Sequence, residues 1–413
     1  MTSGPDAAGG SAVDATAGSG AETTSDATVA ADSGYRWRML AVVSLGWAAL
    51  QWGRFLLPPL LPRIQASLSL SSAAVGLALA AFTLVYALVQ YPSGTYSDSL
   101  SRATLLVPGF LVILAGFAFV GIAVHPALFL VGILLVGVGK GLFASPSRAL
   151  LSDLFADRPG RALGIYSAGT DIGGLLASGL AILVIGTTWR AAFVPVLVCL
   201  GLMGALFVVW NRESYILRRE RLAVGDTVRR VVATRDQRER LAAYALFFFA
   251  IGGLINFFPT LLVVNGFSET LASGVYALVF VVGMVTKPVG GAVSDRYPRL
   301  LVSIGALLFS VAGLAVVLLT GSLAAVAAGT VVMAVGYKTQ FPIVDSVVMD
   351  AAPDGSVGGD LGAARGLFLT TNAAGPGVVG VLAQFYSYTV AFWVLAATIA
   401  LAGLILVRQY LRA

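Results

Sequence analysis

From residue 38 to residue 408 the chain repeats one pattern, a long apolar run closed by a few polar or charged positions. The runs lie near 38–60, 73–96, 103–123, 127–151, 162–186 and 190–210, then near 241–264, 271–294, 300–320, 323–348, 363–385 and 388–408. A helix needs roughly 20 apolar residues to cross about 30 Å of hydrocarbon, and each run supplies them. The pattern predicts an all-α membrane protein of twelve transmembrane helices, six in each half.

Two of the polar interruptions match each other. GTYSDSLSR, from Gly94 to Arg102, and GAVSDRYPR, from Gly291 to Arg299, both space Gly, Asp and Arg four residues apart. Asp98 and Asp295 stand 295 − 98 = 197 residues apart, nearly half the chain, so the molecule reads as an internal repeat. In each turn Gly lets two helices approach, while charge pairing of Asp98 with Arg102, and of Asp295 with Arg296 or Arg299, holds a short hairpin at the membrane surface.

The arginines fix an orientation. Arg36, Arg38, Arg102, Arg158, Arg161, Arg296, Arg299, Arg365, Arg408 and Arg412 share a side with the central loop, and little beyond Arg63 and Arg190 falls opposite. The positive-inside rule then puts both termini and the loop in the cytoplasm of a multi-pass cell-membrane protein. Four regions follow: a disordered acidic cytoplasmic tail (1–34), a six-helix bundle (35–210), a basic linker (211–240) and a second bundle (241–413). The tail has no Lys or Arg and no apolar core, so it is not a signal peptide. The linker carries nine Arg against five acids and reads as an amphipathic segment on the inner membrane surface, not as a nucleic-acid site.

Composition removes several chemistries. Hydrophobic residues are 58% and charged residues 11% of the chain, with a mean hydropathy of +0.90. The lone Cys199 permits no intrachain disulfide and the lone His125 no multi-histidine metal site, so no cofactor or metal is expected. No HExxH, GxSxG or paired-aspartate run suggests an enzyme.

The two turns, the DRPGRALG segment from Asp157 to Gly164 and the six-plus-six layout resemble the major facilitator superfamily over roughly residues 38 to 408. The resemblance implies two pseudo-symmetric six-helix bundles that rock about a central site, exposing it to each side in turn. Helices 1, 4, 7 and 10 would line the cavity, helices 2, 5, 8 and 11 would join the halves, and helices 3, 6, 9 and 12 would face lipid. GTDIGGLLASG, from Gly169 to Gly179, resembles the helix-5 signature of the family's antiporters, but Thr170 stands where a proline is expected. Helix packing through small residues explains it better.

A charge near the bilayer centre costs roughly 2.5–3.5 kcal/mol and needs a partner, water or a ligand. The interiors of the runs contain Arg54, Lys140, Arg148, Asp171, Lys287, Lys338 and Asp345, and the interiors of helices 3, 6, 9 and 12 contain none. All three lysines of the chain are among them. Lys140 and Lys338 occupy near-equivalent depths of helices 4 and 10. Two facing ammonium groups there would bind an anion; alternatively each neutralises a nearby acid. Arg54 could clamp the same anion with its planar fork, and Gln51, Trp52, Asn256 and Asn372 could orient it. Asp171 and Lys287 are expected to pair between the halves, either as a static bridge or as a proton-sensitive coupling element. Arg148 and Asp345 occupy equivalent places and form a candidate inner gate, unless Arg148 serves Asp98 instead.

The expectation is a secondary active transporter, working as a monomer in the lipid bilayer by alternating access. It would carry a small organic anion by proton- or sodium-coupled symport. The alternatives are an exporter of amphipathic compounds and a nutrient sensor on a transporter scaffold.

Overall fold

Each apolar run is a helix. A computed structural model describes the backbone of residues 21–99, 101–185, 187–212, 234–350 and 357–412, and their side chains except at 21–33, 91, 95, 98, 99, 345, 348–350 and 357–363. The first half holds α1 (Ala21–Leu68), α2 (Ser72–Ser99), α3 (Arg102–Gly121), α4 (Pro126–Leu154), α5 (Pro159–Leu183) and α6 (Phe193–Trp210), with a single 3-10 turn (Trp189–Ala192) before α6. The second holds α7 (Arg235–Val264), α8 (Glu269–Arg296), α9 (Arg299–Leu319), α10 (Leu323–Asp350), α11 (Val357–Phe385) and α12 (Tyr388–Tyr410). Eleven of these are long and apolar enough to cross a membrane on their described residues. The other, α10, interrupts its apolar run with Lys338, Thr339 and Gln340.

Local signals set where helices begin. Proline opens α4 and α5, where its missing N–H is no loss. His125 caps α4 by accepting from the Ala127 amide at 3.2 Å, which gives the single histidine a structural task. Thr234 and Gln237 form a reciprocal capping box. It starts α7 at Arg235, earlier than the expected boundary of 241. At the other end of the chain α1 reaches back to Ala21, inside the expected tail. Residues 1–20 of that tail, and 213–233 of the linker, lie outside the described residues.

The halves meet chiefly where α2 lies along α11, α5 along α8 and α1 along α7, and α1 also touches α8. The α2–α11 crossing requires glycine. A Cβ at Gly76 would come within 2.5 Å of the Pro376 carbonyl oxygen and 2.8 Å of Gly380. Away from this interface, α6, α9 and α12 expose apolar side chains such as Val198, Leu202, Leu308, Phe309, Leu401 and Leu404. Such faces suit hydrocarbon, and the resemblance placed these helices against it.

The repeated turns act alike. Arg102 bonds to Asp153 Oδ2 at 3.1 Å and to Ser97 Oγ at 2.7 Å. Arg299 donates to the Ser346 carbonyl oxygen at 3.3 Å. Each arginine therefore ties its turn to a helix of its own half, α4 or α10. In the second copy Asp295 and Arg296 are exposed, while the Asp98 side chain lies outside the described residues.

Candidate functional site

Asp171 is the midpoint of α5 and is 1% exposed. Its two oxygens are divided between two lysines of the other half. Oδ2 accepts from Lys287 Nζ of α8 at 2.5 Å, and Oδ1 accepts from Lys338 Nζ of α10 at 2.7 Å. Glycine makes room for the cluster: a Cβ at Gly283 would lie 2.7 Å from Asp171 Oδ1 and 2.9 Å from Lys338 Cε. Phe280 and Tyr337 lie beneath the Lys338 ammonium at 4.9 and 5.3 Å. The surroundings are dry and aromatic, where a carboxylate shared by two ammonium groups is held strongly.

Lys140, the midpoint of α4, has a different environment. It is 6% exposed, and among the described residues no carboxylate or hydrogen-bond acceptor meets its ammonium. Aromatic rings surround it instead, with Tyr86 at 4.3 Å, Phe82 at 5.7 Å and Trp47 at 5.8 Å. Trp47 is fixed by donating to Thr170 Oγ1 at 2.9 Å and by stacking on Tyr166. One desolvated cation–π contact stabilises by about 2 kcal/mol, and the other two rings are near the limit of range. A cost of roughly 2.5–3.5 kcal/mol for the charge is barely offset, so the cage holds Lys140 without neutralising it.

Arg54 is the third interior cation. Its side chain lies over Phe55 at 4.5 Å, and its buried Nε has no hydrogen-bond partner. Phe55 packs on Phe280, the ring beneath Lys338, at 4.7 Å, and Arg54 lines one small cavity with Phe82, a ring of the Lys140 cage, so it adjoins both lysine environments. A cavity of about 10 Å³ adjoins it, bounded by Phe82, Phe117 and Ile133 among others, at the lower limit for one water molecule. Nearby buried polar atoms are also unpartnered: Gln51 Oε1 and Trp52 Nε1 on α1, Thr260 Oγ1 on α7 and the Tyr337 hydroxyl on α10.

The other expected contacts divide. The Asn256 amide donates to Gly252 O of its own helix at 2.7 Å, and the Asn372 amide to Phe248 O at 2.8 Å. Both donors are spent on the backbone of α7. Arg148 lies against Trp47 and Tyr166, each at 5.8 Å. Its candidate partners Asp345 and Asp98 have side chains outside the described residues. Lys338, expected to face Lys140 as a free anion ligand, is instead bonded to Asp171. The sequence shows how deep Lys338 lies in α10 but not which way it turns.

Sequence reasoning missed a second link between the halves. At the end of the molecule away from the termini, Arg63 Nε donates to Glu269 Oε2 at 2.7 Å, joining α1 to α8. Arg63 Nη1 also reaches the carbonyl oxygens of Val184 and Thr187, at 3.3 and 3.4 Å. The hydroxyls of Ser72 and Tyr388 meet there at 2.9 Å. Arg63 is visible as one of few charges on its side, but nothing periodic connects it to an acid 206 residues away. The aromatic cage was also missed, although Phe82 and Tyr86 are one turn apart on α2.

Known proteins agree with this architecture. The hexuronate transporter of Bacillus subtilis (strain 168) is 23% identical over 256 residues, 57% of this chain and 58% of that protein. Multidrug resistance protein MdtH of Shigella dysenteriae serotype 1 (strain Sd197) is 31% identical over 173 residues, 40% of each. A probable nitrate transporter, NarT, of Staphylococcus haemolyticus (strain JCSC1435) is 20% identical over 260 residues, 62% of this chain and 66% of that one. The chain thus spans 40% to 66% of the length of these relatives. Among solved structures, a bacterial homologue of the human lysosomal transporter Spinster, inward-facing and occupied, superposes with a TM-score of 0.79. That match has 18% identity and covers 90% of this chain and 96% of that one. The unoccupied form of the homologue gives a TM-score of 0.74 at 19% identity, over 90% and 95% of the two chains. The sequence profile of the Major Facilitator Superfamily matches residues 43–368 and 240–412, and the chain is a multi-pass membrane protein that belongs to this family.

Proposed function

We propose that the protein is a secondary active transporter that moves a small organic anion across the cell membrane by alternating access. One observation carries the reading: Lys140 is buried and Arg54 half-buried inside the helix bundle, with no acidic partner for either among the described residues. With Lys287 and Lys338, which share Asp171, they leave the interior with more cations than carboxylates among the described residues. A site with this excess of positive charge lowers its energy by taking in a negative ligand. The relatives named for hexuronate and nitrate carry anionic cargo by name, which favours the same class.

Coupling to protons or sodium is part of the proposal, with Asp171 as the candidate coupling group. So are monomeric operation and an orientation with both termini in the cytoplasm, which follows from the arginine asymmetry. Asp171 spans the halves, and a change in its charge would loosen their contact. The Arg148 and Asp345 pair is retained as an inner gate, opposite the Arg63 to Glu269 link.

The test is uptake into proteoliposomes of labelled glucuronate, benzoate and nitrate under separately imposed proton and sodium gradients. Accumulation of at least one anion, lost in Lys140→Ala and Arg54→Ala, is the expected result. Absence of uptake of all three under either gradient would sink the anion reading. If Asp171→Asn kept the normal dependence on the pH gradient, the coupling role would be lost while the site survived.

A second reading has its own support. The match to a multidrug resistance protein and the aromatic wall of Trp47, Phe82 and Tyr86 fit an exporter of amphipathic compounds. Efflux of a neutral amphipathic dye that chloride-matched organic anions do not inhibit would favour it.

A further inference from the structure

The Asp171 cluster is asymmetric in a way that a simple interhelix bridge does not need. Each carboxylate oxygen has its own lysine, so Asp171 can release one and keep the other. The lysines are unlike: the Lys338 side chain is 5% exposed, whereas that of Lys287 is 26% exposed. Losing Lys338 would leave Asp171 bonded to the more exposed Lys287, still paired with an opposite charge. Losing Asp171 would leave Lys338 buried and unmet. Arg54, which adjoins the Lys338 environment through Phe55 and Phe280, already lacks an acceptor at Nε.

We propose that Asp171 is a built-in stand-in for the substrate's carboxylate: it occupies the seat on Lys338 that the substrate takes, and Lys287 retains it when displaced. The idea rests on the anion reading above and names the ligand class more closely, a small molecule with at least one carboxylate. Replacing one carboxylate by another on Lys338 exchanges like for like. The lysine is dry before and after, so the ligand does not bear its desolvation, and only the gain from Arg54 and Lys140 appears as affinity. Displacement also removes the bond between α5 of one half and α10 of the other. Substrate binding is thereby linked to loosening of the mid-membrane contact while the Arg63 to Glu269 link persists.

The test uses the purified full-length chain in nanodiscs, with glucuronate and benzoate as probes and chloride at equal ionic strength as control. Affinity is read by calorimetry and by thermal shift. Asp171→Asn is expected to bind whichever probe the wild type binds at least about tenfold more tightly, a difference of about 1.4 kcal/mol. Adding Lys338→Gln to Asp171→Asn should abolish that gain while adding Lys287→Gln to Asp171→Asn should leave it, whereas a long-range charge effect would treat these two charge-matched double variants alike. Lys287→Gln should act in the opposite direction. With Asp171 left to Lys338 alone, the seat is harder to vacate and probe affinity falls several-fold, so the proposal stays testable if Asp171→Asn does not fold.

Binding to Asp171→Asn alone, with none to the wild type, would also support displacement. If the wild type binds a probe but Asp171→Asn binds it no more tightly, or Lys287→Gln leaves affinity unchanged, the stand-in role is overturned and the anion site survives. If neither protein binds either probe, the anion reading fails and this inference fails with it.

Discussion

Lys140 and Lys338 are the same residue at matching depths of α4 and α10, yet the protein surrounds them differently. Lys338 bonds to a carboxylate from the opposite half, while Lys140 is enclosed by rings of its own half. The 197-residue repeat suggests how this arose in the sequence. Asp171 corresponds to Phe368, which is buried and stacked on Phe248 at 4.9 Å, and Lys287 corresponds to Gln90. One copy of the site has its charges, and the other has an aromatic ring and an amide where those charges would stand. A symmetric pair of bundles would neutralise both lysines or neither. This one uses its second half to tie the bundles together and leaves its first half short of negative charge.

The strongest way to break the comparison is to remove the one acid. Asp171→Ala strands Lys287 and Lys338 in the interior, and removing one partner of a buried pair costs about 3–5 kcal/mol. Thermal unfolding in detergent should show a larger fall than replacement of either lysine. A fall no greater than that for a surface carboxylate would mean that the cluster does not hold the halves together. Lys338→Gln is milder. Asp171 keeps Lys287 but loses the donor to Oδ1, for about 1–3 kcal/mol. Lys287→Gln should cost less than Lys338→Gln, because Lys287 is the more exposed lysine.

How much of this is legible beforehand depends on which physical quantity the sequence encodes. Apolar length encodes span positions well, and most runs fall within a few residues of the observed helices. The polar start RDQRER reads as linker because its charges hide a helix, although the Thr234 to Gln237 spacing is a capping-box signal. Burial cost makes every interior charge conspicuous, and the family's geometry brings Asp171 to Lys287. The third member of the cluster escapes because counting residues along α10 gives the height of Lys338 and not its azimuth. The unequal partners of Lys140 and Lys338 are implicit in the repeat, since Phe368 replaces an acid, but superposing the turns and lysines alone does not reveal it. The link from Arg63 to Glu269 has no precursor in periodicity at all.

That far-end link sharpens the comparison between a buried tie and a wet one. The side chains of Arg63 and Glu269 are 23% and 29% exposed. A pair so hydrated contributes up to about 1 kcal/mol. Glu269→Gln leaves Arg63 its two carbonyl acceptors, so the melting temperature should move little. Its effect belongs to opening at that end of the molecule. Thiol labelling of a cysteine placed at Leu68 should become faster in Glu269→Gln than in the parent carrying Glu269. Equal rates would show that Ser72, Tyr388 and the Gly76 to Gly380 crossing close that end without help from the ion pair.

Lys140→Met should change stability least, which makes it the most informative single substitution. Lys140 has no bonded acid to abandon, and methionine matches its length while filling the space among Trp47, Phe82 and Tyr86 with an apolar thioether. The cation–π attraction of about 2 kcal/mol is lost, and a burial cost of roughly 2.5–3.5 kcal/mol disappears with it. The two nearly cancel, so the ligand-free protein should unfold within about 1 kcal/mol of the wild type, or slightly later. Anion uptake and anion-induced thermal shifts should nevertheless vanish. A variant that folds as well as its parent and no longer responds to anions would place the function of Lys140 in the ligand rather than in the fold. A Lys140→Met protein that unfolds much earlier would mean that the ammonium has a structural partner, and that the two halves are more alike than their surroundings suggest.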